Sequence, residues 1–60
     1  MEYYLLTIRG YYGKDLYFEE KHRLNTYRDA VAMSADILMG ENPNNRYVRY
    51  DVRIELTDER

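Results

Sequence analysis

The chain has one histidine, His22, one serine, Ser34, and no cysteine, which limits the chemistry it can perform. A catalytic histidine needs a nucleophile or acid held beside it. Ser34 instead falls inside an apolar helical stripe, where it serves as a small packing residue, and His22 reads as an ordinary residue near a strand end. Without cysteine there is no thiolate nucleophile, disulfide or thiolate metal site. No HExxH, P-loop or GxGxxG pattern occurs, and Gly10-x-x-Gly13 is too short and too crowded by tyrosine to cradle phosphate. Glu19 and Glu20 are strand neighbours that point to opposite faces, so they cannot jointly hold an ion. The expectation is a non-enzymatic chain with no catalytic, cofactor-binding or metal-binding residues.

Tyrosine is the unusual resource, with eight residues in sixty and no tryptophan. Tyr4, Tyr27 and Tyr50 fall on core-facing stripes. Tyr3, Tyr17 and Tyr47 fall on the opposite face, among Arg9, Arg49 and Arg53, and Tyr11 and Tyr12 fall at a hairpin tip. Tyr and Arg dominate protein-protein hot spots, and they also stack on single-stranded bases. Glu19, Asp51 and Glu55 share that open face and repel phosphate, and the formal charge of -2 supplies no basic excess. The expected site is therefore a partner-binding surface of Tyr3, Tyr17, Tyr47, Arg49 and Arg53, extended by Tyr11 and Tyr12. Its expected partner is protein, with single-stranded RNA or DNA as the alternative.

The elements that must position these residues follow from apolar periodicity. Tyr3 to Arg9 alternates as a strand, with Tyr4, Leu6 and Ile8 on one side. A second run places Leu16 and Phe18 on the core side and Tyr17, Glu19, Lys21 and Arg23 outside, which predicts a hairpin. Paired numbers must then add to an even sum, so an odd loop is expected: Tyr11–Gly13, or Gly10–Lys14. Thr26 to Met39 has the helical period, with Tyr27, Ala30, Val31, Ser34, Ile37 and Leu38 on one stripe. Thr26 or Asn25 suits its start, and Gly40 the left-handed position at its end. Glu41–Asn45 reads as a loop. Tyr47 to Leu56 alternates cleanly, with Val48, Tyr50, Val52, Ile54 and Leu56 expected inside. Residues 58–60 read as a frayed end.

This ββαβ order predicts a single α+β domain over residues 1–60, a mainly antiparallel three-stranded sheet with one helix on one face. Strand order 2-1-3 places the most apolar strand at the centre; pairing the last strand with the second is the other arrangement. A chain this short buries only about 60% of its unfolded surface, leaving little margin, so a homodimer or a stabilising partner is expected. The charged fraction of 33% leaves no transmembrane run, and the opening Met1-Glu2-Tyr3-Tyr4 does not resemble a signal peptide, so cytoplasmic residence is expected. The reading that unites these features is a small protein-binding module. One form of it is a phage or mobile-element accessory factor that inhibits a host or defence protein by occupying its surface.

Overall fold

The computed structural model describes residues 1–41 and 46–58. Most of the expected loop, over 42–45, and the last two residues of the expected frayed end lie outside these. Four elements follow in order: β1 (Glu2–Tyr12), β2 (Asp15–Leu24), α1 (Tyr27–Glu41) and β3 (Val48–Asp58). The sheet has the order β2-β1-β3, and both pairings are antiparallel. The expected ββαβ frame and the central position of β1 are thus those of the molecule.

Register puts the even-numbered side chains of β1 and β3, and of β2 from Phe18 onward, on one face. Leu6 stands between His22 and Ile54, and Ile8 between Glu20 and Val52. Parity in the hairpin is achieved differently from the expectation. The turn has two residues, Gly13 and Lys14, and Gly13 takes the left-handed conformation at φ +62°. An even-length turn alone would set β2 out of phase with the core. A bulge corrects the phase: Gly10 pairs with Phe18 and Tyr11 with Leu16, leaving Tyr17 as the extra residue. Leu16 therefore shares the odd face with Tyr11 and is 50% exposed, which overturns its expected place in the core.

The helix begins where expected. The Asp29 N–H donates to Thr26 Oγ1 at 3.1 Å, and Asp29 also places negative charge at the helix's positive end. At the other end the chain stays helical through Gly40 to Glu41, so Gly40 is not the left-handed cap. α1 packs on the even face with Ala30 and Ser34 at the centre of the contact, and the Ser34 hydroxyl donates to the Val31 carbonyl at 2.7 Å. The packed stripe is rotated slightly from the expected one, because Met33 is half-buried on the β2 side while Val31 and Tyr27 are exposed.

The resulting core is small. Leu6, Ile8 and Ala30 are the buried apolar residues among those described, all three without exposed surface. The helix leaves the outer part of β3 uncovered: Val52 is 43% and Leu56 58% exposed, although both lie on the expected inner face. One helix is too narrow to roof three twisted strands. The molecule is accordingly thin, 39 × 20 × 10 Å between Cα extents, with a radius of gyration of 12.6 Å. A compact chain of this length has a radius of about 10 Å.

Leu6→Ala should therefore cost roughly 2 to 5 kcal/mol and unfold much of the population at ambient temperature. Leu56→Ala, on the same face but exposed, should cost below about 1 kcal/mol. Thermal melts of the two variants check the assignment, and equal losses would contradict it.

Candidate functional site

On the helix-free face the odd-numbered residues of three strands stand in rows. Glu19, Arg9 and Asp51 form one row across the sheet, and Lys21, Thr7 and Arg53 form the next. Arg23, Leu5 and Glu55 form a third. Arg9 Nε donates to Glu19 Oε2 at 2.6 Å, and that hydrogen bond, followed by the carboxylate's charge, raises the guanidinium pKa above its ordinary value. Both groups are solvated, so the pair adds little to stability, but it fixes where the Arg9 head points. Arg53 and Glu55 approach within 3.4 Å along β3.

Aromatic rings on this face are held by cations. The Arg23 guanidinium lies 4.3 Å from the Tyr3 ring centroid, and its Nη2 donates to the Tyr3 hydroxyl at 3.4 Å. Arg49 lies 4.9 Å from the Tyr11 centroid, and the two residues are direct cross-strand partners. Between these two stacks lies a shallow basin of about 580 Å³. Leu5 and Thr7 form its floor, Arg9, Lys21 and Arg53 bring positive charge, and Asp51 and Glu55 bring negative charge. Such a surface offers directed donors, acceptors and flat rings, with few torsions left to freeze on contact.

Of the expected partner-binding residues, Tyr3, Tyr11, Arg49 and Arg53 come together here. Tyr17 does not, because the bulge turns it to the helix side. Its hydroxyl meets that of Tyr50 at 2.8 Å, and the two rings close over Gly10. A Cβ on Gly10 would sit 3.0 Å from Tyr50 Cε1 and 3.2 Å from Tyr17 Cε1, so glycine makes room for this clasp. Tyr12 and Tyr47 pair with each other near the hairpin tip, with ring centroids 6.2 Å apart. There the Gly13 N–H donates to the Tyr47 carbonyl at 2.9 Å, tying the turn to the start of β3. Sequence reasoning missed Arg23, whose stack on Tyr3 depends on a diagonal contact set by the hairpin register.

His22 faces the helix, with Nε2 3.5 Å from Glu20 Oε2. It lines a cleft of about 550 Å³ between β2 and α1, whose apolar wall is Leu24, Ala32, Met33 and Ile37. Glu19 and Glu20 do lie on opposite faces, one on Arg9 and the other beside His22. No group of three His, Asp or Glu side chains among the described residues is placed to hold a metal ion.

The clasp has a measurable signature. The hydrogen bond to Tyr17, then burial and the nearby charge of Glu41, push the Tyr50 hydroxyl up to about 12 from an ordinary 10.0. Because the folded value is the higher one, the clasp's contribution is complete below pH 10.0 and fades as pH rises toward about 12. Tyrosinate absorbance should show Tyr50 ionising late, and Tyr17→Phe or Gly10→Ala should bring it back toward 10.0. Unchanged titration curves in both variants would remove the clasp from the account.

No helix among the described residues is long and apolar enough to cross a membrane. Comparison with protein-family models, with curated proteins and with solved structures returns no match to this chain.

Proposed function

We propose that this chain is a non-enzymatic protein-binding module whose working surface is the helix-free face of the sheet. The observation that carries the reading is the pair of stacks, Arg23 on Tyr3 and Arg49 on Tyr11, flanking the basin floored by Leu5 and Thr7. Rings pinned in this way offer large contact area at small entropic cost, and guanidiniums beside them can pair with a partner's carboxylates once water leaves. Interleaved Glu19, Asp51 and Glu55 favour a protein of mixed charge over a polyphosphate backbone, which would meet a carboxylate beside each cation. Acting by occupancy, such a module blocks or bridges whatever surface it covers. In the most specific form of this reading, it is an inhibitory accessory factor working in the cytoplasm.

The test is capture of partners from a cytoplasmic extract by the immobilised full chain. Proteins should be retained after nuclease treatment and should weaken only modestly as salt rises. They should be lost with the double variant Tyr3→Ala/Tyr11→Ala and kept with Lys14→Ala in the turn. Truncating a central ring of such a surface costs about 2 kcal/mol or more, roughly thirtyfold in affinity. Release by nuclease, or a steep fall of affinity with salt, would transfer the reading to single-stranded nucleic acid.

A further inference from the structure

We propose that β3 pairs, antiparallel and in one register, with β3 of a second copy of this chain, making a six-stranded sheet about a two-fold axis at Val52. β3 is hydrogen-bonded to β1 on one side only. It pairs with β1 along its whole length without a register shift, and it contains no proline. Unlike β2, which is bent by its bulge, this edge carries neither a bulge nor a proline to keep another sheet edge away, and its charges are of both signs.

The side chains of β3 are self-complementary. With Val52 opposite Val52 of the second copy, Asp51 meets Arg53, and Arg49 meets Glu55, each pair occurring twice by symmetry. On the other face Tyr50 meets Ile54 and Val48 meets Leu56, so every facing pair there is apolar. Sliding one copy by two residues sets Asp51 against Asp51 or Arg53 against Arg53, with further like charges beside them. Sliding by one residue sets the apolar face against the charged one. The register is thus defended on both sides.

The surface left bare in one copy is where the second would lie. Val52 and Leu56 are the exposed apolar residues of β3, and Tyr27 and Val31 are exposed on the helix flank turned away from β2. The accessible surface of 4847 Å² exceeds by roughly 700 Å² what a folded monomer of 7.3 kDa exposes. A standard interface removes roughly 800 Å² from each partner, close to that surplus. The pairing runs along the backbone edge of β3, with Arg49, Asp51, Arg53 and Glu55 at the margin of the open face, and it goes beyond the proposed function: mass in solution reads it without any partner captured by that face.

The experiment measures mass in solution by sedimentation, on the full chain, over a dilution series. Wild type should have twice the mass of one chain at tens of micromolar, since interfaces of about this size have dissociation constants from about micromolar downward. Arg49→Glu and Glu55→Arg each replace two attractive pairs by two repulsive ones, so each should raise the dimer Kd at least about tenfold. Mixing the two variants should restore the dimer, because position 49 of one then meets an opposite charge at position 55 of the other, at both ends of the ladder. Circular dichroism separates loss of pairing from loss of folding, and a variant that unfolds alone should regain its sheet in the mixture. A wild-type monomer throughout, single variants that dimerise unchanged, or a mixture that does not recover would each overturn the pairing, while leaving the capture experiment on the open face to be judged separately.

Discussion

The two hydrogen-bonded ladders on β1 carry most of the organisation, because the helix buries so little. Leu6 and Ile8 reach full burial only where β2 and β3 flank them and Ala30 closes above. A β-sheet of three strands has two edges for one interior strand, so two-thirds of its strands are half-paired by construction. The thin section follows from the same constraint: a single helix shields the middle of the even face and leaves both the outer part of β3 and the whole odd face to water. What the fold lacks in core it must recover through accurate register, since a slip of one residue would drive charged rows into the apolar layer under α1.

Much of this frame was legible in the sequence. Strict alternation from Val48 to Leu56 identified the last strand, its wet face and its match to Tyr4, Leu6 and Ile8. The demand for an even pairing sum in the hairpin was also correct, but it admits two solutions, an odd loop or an even turn with one extra residue. Gly13 suits a left-handed position in either case, so nothing local distinguishes them. The choice reverses Leu16 and Tyr17, and with them one residue of the expected partner-binding surface. The helix boundary was missed at Gly40 for a related reason: glycine permits a left-handed end but does not enforce one. Val31 and Val52 were expected inside because their periodicity is right, yet periodicity reports which way a side chain points and not whether anything lies there to cover it.

The charge pattern explains why the open face can be richly polar without a strong field. Cations and carboxylates alternate along β3 and in the row Glu19, Arg9, Asp51, so the potential largely averages out beyond a Debye length, while Arg9 and Arg53 each keep a carboxylate close by. Recognition on such a surface is governed by short-range fit more than by long-range attraction. The stacked tyrosines sit at its two ends, where a partner would meet shape before charge.

The bulge at Tyr17 has an evolutionary side. It is the one place in β2 where the chain carries a residue that the ladder does not count. Losing that codon would join Leu16 directly to Phe18 and keep every other strand pair with its present partner, whereas a single-residue deletion among residues 18–24 would turn part of the strand inside out. Length variation in the hairpin is therefore permitted at this position and resisted nearby. Descendants of this sequence could shed or regain the Tyr17–Tyr50 clasp in one step without disturbing the sheet that bears it.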